Sequence, residues 1–224
     1  MNSITEIIDT SPLKPSYTEE EVKQAIQDGI DNKCASVCVQ PCHISMAAKM
    51  CEGTDTKVCC VLDFPHGRSP LEVKAFMAET YSKMGAKEID MVMNYGYALS
   101  GLWDKVEEEI KAVVETAHKN GSIVKVIFEA SQLNPEQIKK ATEVSISAGA
   151  DFVKTATGFF GEGAKEEELK IMIETAAGRC KVKASGGVHD YEKAKHFADM
   201  GVDRIGIGSA NLKELIVQEK EYRG

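Results

Sequence analysis

Three lysines stand where the strands of a helix-covered sheet should be apolar. They lie in Val124-Lys125-Val126-Ile127-Phe128-Glu129, Phe152-Val153-Lys154-Thr155-Ala156 and Lys181-Val182-Lys183-Ala184-Ser185. Strand side chains alternate between two faces. Val124, Val126, Phe128, Val153, Val182 and Ala184 can therefore face covering helices while Lys125, Lys154 and Lys183 point inward. Glu129 shares the inward face of Lys125, and Asp90 and Asn94 share one in Ile89-Asp90-Met91-Val92-Met93-Asn94. A lone strand lysine is usually a snorkelling surface residue. Three inward lysines and two inward carboxylates across four strands leave two accounts: a structural ion-pair network, or a site whose lysine amine attacks a carbonyl carbon and forms an imine. In this count cations exceed carboxylates, which favours the second.

A free lysine titrates near ~10.4 and is a poor nucleophile at neutral pH. Bringing it to ~7–8 costs the ammonium form roughly 4 kcal/mol. One neighbouring cation at ~4 Å and an effective dielectric of ~20 supplies about that much, and desolvation acts in the same direction. A lysine pair with a carboxylate thus provides a nucleophile and a proton carrier. Glycine-rich turns supply a second function. Thr157-Gly158, Ser185-Gly186-Gly187 and Gly206-Ile207-Gly208-Ser209 each sit between a strand and a helix. Backbone N–H groups there can hold an anion, although tight turns use glycine for conformational reasons too. A phosphorylated carbonyl substrate follows as the expectation.

The elements that must position these groups alternate along the chain. Strands are expected at 7–11, 34–39, 58–64, 89–94, 123–129, 152–156, 182–185 and 204–207, separated by helical runs. Thr18 with Glu21 and Ser69 with Glu72 form helix-start capping boxes, and Pro70 and Pro135 occupy first-turn positions. Gly85, Gly149 and Gly201 each close a helix a few residues before a strand opens. Eight βα units in 224 residues predict a (β/α)8 TIM barrel, with an additional N-terminal helical segment and residues 1–224 as one domain. A doubly wound sheet is the alternative, but no Gly-x-Gly-x-x-Gly follows the first strand.

The formal charge of −8, with 35 acidic and 27 basic residues and 6% aromatics, argues against a nucleic-acid partner. No apolar run reaches the ~18 residues of a membrane span, and the first residues do not read as a signal peptide. The seven cysteines, at 34, 38, 42, 51, 59, 60 and 180, are odd in number and read as reduced thiols in a cytoplasmic protein. Cys34, Cys38 and Cys42 recur every four residues across a strand and a turn, without the Cys-x-x-Cys pairs of zinc sites, so no metal is expected. Most of them read as small buried hydrophobes.

With these residues in view, the chain resembles the deoxyribose-phosphate aldolases, class I aldolases on a (β/α)8 barrel. The likeness spans nearly the whole sequence: Ala35-Ser36-Val37-Cys38-Val39, Phe64-Pro65 with Glu72-Val73-Lys74-Ala75-Phe76, Glu88-Ile89-Asp90-Met91-Val92, Val124-Lys125-Val126-Ile127, Gly149-Ala150-Asp151-Phe152-Val153-Lys154-Thr155 and Val182-Lys183-Ala184-Ser185-Gly186-Gly187. The resemblance implies reversible cleavage of 2-deoxy-D-ribose 5-phosphate to acetaldehyde and D-glyceraldehyde 3-phosphate, as in deoxyribonucleotide and carbohydrate catabolism. It implies Lys154 as the Schiff-base lysine, Lys183 as the second lysine and Asp90 as the acid/base carboxylate. Cys38, Lys125, Thr157, Gly158, Gly186, Gly187, Gly208 and Ser209 would line the substrate site, with packing as the other role for Cys38. No cofactor is implied, and family habit implies a homo-oligomer, a dimer.

The chain departs from the family pattern at Thr10 and Pro12, at Asp63 (commonly glycine), Ala130 (threonine), Ala156 (serine) and His189 (arginine), and at Ile207-Gly208 before Ser209. One hydroxyl fewer in the last turn is worth about 1 kcal/mol of phosphate binding. Two competitors stay open: an aldolase of the same barrel class with a different phosphorylated aldehyde or sugar, and a non-catalytic phosphate-binding barrel.

Overall fold

The computed structural model describes residues 3–161 and 163–224. Among them eight parallel strands close into a barrel in chain order. They are β1 (Ile8–Ser11), β2 (Ser36–Val39), β3 (Lys57–Leu62), β4 (Glu88–Val92), β5 (Ile123–Ile127), β6 (Phe152–Lys154), β7 (Lys181–Ser185) and β8 (Arg204–Gly208). The last strand returns to the first, with Asp9 opposite Gly206 and Thr10 opposite Ile207, so the sheet has no free edge. The helices between them are α1 (Glu19–Asp31), α2 (Ile44–Met50), α3 (Leu71–Met84), α4 (Tyr95–Leu99), α5 (Trp103–Lys119), α6 (Pro135–Ser147), α7 (Glu166–Ala176), α8 (Tyr191–Asp199) and α9 (Ser209–Arg223). This is the (β/α)8 barrel expected from the alternation. The additional N-terminal helical segment is one short 3-10 turn, Ile4–Ile7. It is tied to α9 by Ile4 N–H donating to Glu219 Oε1 at 2.8 Å. No helix among the described residues is long and apolar enough to cross a membrane.

Period-two alternation sorts the strands into two environments. Val37, Val39, Ile89, Met91, Val124, Val126, Val153, Val182, Ala184 and Ile205 face outward and join the helices in one continuous apolar core. The inner face is different. Its apolar residues include a small cluster of Leu13, Cys38, Cys59 and Val61 with Phe64 against it, and Val92, Ile127 and Phe152 share strands with the inward charges. Charged groups fill much of the rest, and Lys125 and Lys183 are among the largest fully buried side chains.

Local start and stop signals explain most boundaries. Thr18 and Glu21 form the expected reciprocal cap of α1, and Asn134 caps α6 with Pro135 at its first position. Gly85, Gly149 and Gly201 take positive φ at helix ends, where a Cβ would be strained. The Ser69–Glu72 box is not formed. Pro70 stands at the N-cap of α3 without a side-chain cap, because Asp63 takes both Ser69 donors, the N–H and the hydroxyl, at 2.8 Å each. Lys74 lies within that corner, fully buried and 2.6 Å from Glu109.

Candidate active site

Register brings the lysines together. Lys154 is the partner of Lys183 across β6 and β7, and Asp90 is the partner of Lys125 across β4 and β5. At the centre, Asp90 Oδ2 accepts from both Lys154 Nζ and Lys183 Nζ, each at 2.7 Å. Its Oδ1 accepts from Lys125 Nζ at 2.8 Å and from the Cys59 thiol at 3.1 Å. A second layer of charge lies against this one. Asp9 Oδ2 makes ion-pair contacts with Lys183 at 2.5 Å and Lys125 at 3.3 Å. Arg204 reaches Asp9 Oδ1 at 2.5 Å and Glu88 Oε1 at 3.1 Å, and Glu88 Oε2 pairs with Lys125 at 2.5 Å. Gly206 leaves room for the Lys183 stem: a Cβ there would sit 2.7 Å from Ser185 Cβ and 3.3 Å from Lys183 Cε.

The excess of cations read from the strands is therefore not what the interior holds. The fold adds Asp9, Glu88 and Arg204, so four cations interleave with three carboxylates, and Glu129 lies near Lys154 as a fourth. Burial alone would push the Asp90 carboxyl up, but Lys125, Lys154 and Lys183 overcome it and hold Asp90 well below the ordinary range. Asp9 is held down in the same way, against burial, by Lys125, Lys183 and Arg204. Burial opposes the charge on Lys183, yet Asp9 and Asp90 outweigh it and raise its pKa. The two lysines differ in this respect. Among the described residues Lys154 has one carboxylate within ion-pair distance, Asp90, whereas Lys183 has two.

Above the cluster opens a pocket of about 410 Å³, lined by Asp9, Cys38, Lys154, Thr157, Gly158, Phe159, Lys183, Ser185, Gly186, Gly187, His189, Gly206, Gly208 and Asn211 among others. Of the residues singled out from the sequence, it gathers Lys154, Lys183, Cys38, Thr157, Gly158, Gly186, Gly187 and Gly208. Asp90 is fully buried and reaches the pocket through the two lysines. Lys125 does not reach the wall, because its ammonium is spent on Asp9, Glu88 and Asp90 beneath. Ser209 is also outside the wall, as the first residue of α9. Asn94, expected to face inward, caps α4 by accepting from Tyr97 N–H at 3.2 Å. Glu129 takes a left-handed conformation, φ +54°, and its Oε2 accepts from the Thr157 hydroxyl at 2.5 Å. Burial raises its pKa.

Asp9, Glu88, Arg204, Phe64 and Phe159 complete the surroundings and were not singled out. Phe64 and Phe159 meet edge to face at 5.1 Å, with Phe159 on the pocket wall and Phe64 packed against the Leu13, Cys38, Cys59 and Val61 cluster. A signal for Asp9 existed in a charged residue inside the first strand.

The three cysteines at 34, 38 and 42 do not converge: Cys34 is buried, its thiol pushed up to about 12 by burial and then by Asp9, and Cys42 is exposed. Ligand atoms of Cys38, Cys59 and Asp90 do lie within 4.8 Å of one another. A cation there would have to displace the ammonium groups that Asp90 already accepts and sit among them, which the local charge opposes.

A parallel barrel whose interior offers an amine beside a second lysine and a shared carboxylate, beneath glycine-rich turns, is the framework of a lysine-dependent aldolase. Comparison with known proteins agrees. The sequence profile of the DeoC/LacD family aldolases matches residues 7–210, and the chain belongs to that family. It is 46% identical over 218 residues to the deoxyribose-phosphate aldolase of Clostridium tetani, covering 97% of this chain and 99% of that one. The solved structure of the aldolase QR15 superposes with a TM-score of 0.91 at 37% identity, covering 99% of both chains. The deoxyribose phosphate aldolase of Aeropyrum pernix, described as a tetramer, superposes at 0.87 with 31% identity over 100% of this chain and 93% of that one.

Proposed function

We propose that this chain reversibly cleaves 2-deoxy-D-ribose 5-phosphate to D-glyceraldehyde 3-phosphate and acetaldehyde through a Schiff base on Lys154. The observation that carries the assignment of roles is the unequal sharing of carboxylates by the two pocket lysines. Lys183 is paired to Asp9 and Asp90 and stays charged; Lys154, which among the described residues pairs with Asp90 alone and lines the pocket, is the amine assigned to attack.

In this reading neutral Lys154 attacks C1 of the open-chain sugar, and loss of water leaves an iminium. The iminium withdraws electrons from the C2–C3 bond. As the C3 hydroxyl loses its proton, that bond breaks, C3 becomes the aldehyde of glyceraldehyde 3-phosphate, and the electron pair is held as an enamine. Protonation at C2 and hydrolysis release acetaldehyde and regenerate the amine. Asp90, which accepts from both lysines, and Lys183 carry the protons through solvent water; general acid–base assistance of this kind is worth about 10²–10⁴-fold. The phosphate goes to the pocket end formed by Gly186, Gly187 and Gly208, where the first turn of α9 lacks a side-chain cap and the turns after strands seven and eight offer backbone donors. Cys38 and Thr157 bound the sugar. The seven cysteines are free, which suits a cytoplasmic setting, and we expect the chain to work as a homo-oligomer.

Borohydride reduction in the presence of 2-deoxyribose 5-phosphate, followed by peptide mass mapping, tests this directly. An acetaldehyde-derived adduct on Lys154, absent in Lys154→Met, is expected. A folded protein that traps nothing with this sugar, while trapping another phosphorylated aldehyde, would replace the substrate; a Lys154→Met variant with full turnover would end the mechanism.

A further inference from the structure

Gly186 and Gly187 are both left-handed, with φ +86° and +67°. Consecutive peptides in such a turn can aim their N–H groups at one point, but glycines bring no side chains to hold them there. Two donors outside the turn do so. Ala164 N–H donates to Gly186 O at 3.0 Å, and Lys193 Nζ donates to Gly187 O at 3.0 Å. A trans peptide is planar, with its C=O and N–H on opposite sides. Holding the Gly187 carbonyl toward Lys193 therefore turns Val188 N–H away from α8, and holding the Gly186 carbonyl toward Ala164 turns Gly187 N–H away from that segment. Gly186, Gly187 and Val188 all line the pocket. Among the described residues no acceptor takes the N–H of Gly187 or Val188.

Lys193 is itself well placed for the task. It lies in the first turn of α8, where its N–H donates to the cap residue Asp190 at 2.8 Å, and its half-buried stem brings Nζ over the Phe197 ring at 5.7 Å. It does not line the pocket.

We infer that Lys193 is a positioning residue for anion recognition: by fixing the Gly187–Val188 peptide it aims backbone donors at the substrate's phosphate. The inference rests on the reading above that this end of the pocket takes the phosphate. It predicts a loss confined to the anion. In Lys193→Met, KM for 2-deoxyribose 5-phosphate and the inhibition constant for inorganic phosphate both rise about tenfold, the worth of one charge-assisted hydrogen bond. Turnover at saturation and cleavage of unphosphorylated 2-deoxyribose stay as in the parent protein. Lys193→Arg, which keeps a charged donor, restores the phosphate-dependent values. Should the methionine variant not fold, Lys193→Gln, one bond shorter than lysine, takes its place. Unchanged constants for phosphate and for the phosphorylated sugar would overturn the inference, as would an equal loss on both sugars, since that is what mere structural damage gives. If the parent protein does not prefer the phosphorylated sugar and is not inhibited by phosphate, the phosphate reading falls and this inference falls with it.

Discussion

Replacing Asp9 by Asn tests the proposal that unequal pairing with carboxylates decides which of the two pocket lysines acts as the nucleophile. Asn keeps the shape and an oxygen acceptor but removes the charge. With unit charges 2.5 Å apart and an effective dielectric of ~20, the Asp9–Lys183 attraction is ~7 kcal/mol; at 3.3 Å the Asp9–Lys125 attraction is ~5 kcal/mol. Burial of the carboxylate offsets most of this, so the fold loses about 3–5 kcal/mol, the usual cost of breaking a buried pair. The effect on Lys183 is more specific. Withdrawing even ~3 kcal/mol from its ammonium form changes its ratio of charged to neutral amine by roughly a hundredfold. Lys183 would then share only Asp90 with Lys154, and the asymmetry between them would be gone. Borohydride trapping with acetaldehyde across pH 6–9, read by peptide mapping, is expected to label Lys183 as well as Lys154 in Asp9→Asn and only Lys154 in the parent protein. The alkaline limb of kcat should move to lower pH, because a proton carrier whose pKa was raised by two carboxylates has lost one of them. An adduct still confined to Lys154, with the pH profile unmoved in a folded variant, would refute the argument that carboxylate count assigns the roles.

Other outcomes follow from the same geometry. Lys74→Met leaves Glu109 and Asp63 without their buried cation, at about 3–5 kcal/mol; thermal denaturation should show Tm lower by roughly 6–20 °C, and a drop under ~2 °C would count against it. Asp9 and Asp90 have depressed pKa values, so their contribution to stability is present above the unfolded carboxyl pKa of ~3.9 and is lost as pH falls below it. Tm measured by circular dichroism from pH 5 to pH 3 should therefore fall, and less steeply in Asp9→Asn. Burial raises the thiols of Cys51 to about 11 and of Cys34 to about 12, and those of Cys59 and Cys60 well above their ordinary value. A thiol-specific disulfide reagent should accordingly modify exposed Cys42 first and the other four only in denaturant; early modification of Cys59 in native protein would contradict the burial argument.

The barrel was legible because its determinants are local and repeated. Glycine at helix ends, capping residues at helix starts and strands of outward valines recur often enough to count eight units. The errors came where a distant group intervened. Strand β4 was expected to run to Asn94, but Asn94 turns back to cap α4. Strand β6 is expected to reach Ala156 but ends at Lys154: Thr155 N–H still donates to Lys183 O at 3.2 Å, but its hydroxyl donates to Ser185 O at 2.8 Å and takes the Ser185 N–H at 2.9 Å in place of a backbone acceptor. The Ser69 box failed because Asp63, six residues earlier, offers two carboxylate oxygens in place of one capping glutamate.

The site was half legible for a related reason. Inward lysines announce themselves against an apolar background, so Lys154, Lys183 and Lys125 are legible as inward charge, together with Asp90, although Lys125 stops short of the pocket wall. Their counter-charges were harder to see. Glu88 lay one residue outside the expected strand, and Arg204 stood at a strand start, where charge is ordinary. Asp9 becomes a partner of Lys183 only because β8 closes onto β1, a contact between the two ends of the chain. The consequence is chemical as well as topological. An excess of cation would lower the pKa of every lysine in the barrel alike and would not choose between them. Nearly balanced charge, distributed so that one pocket lysine touches two carboxylates and the other touches one, makes two chemically identical side chains unequal, and that inequality is what a nucleophile and a proton carrier require.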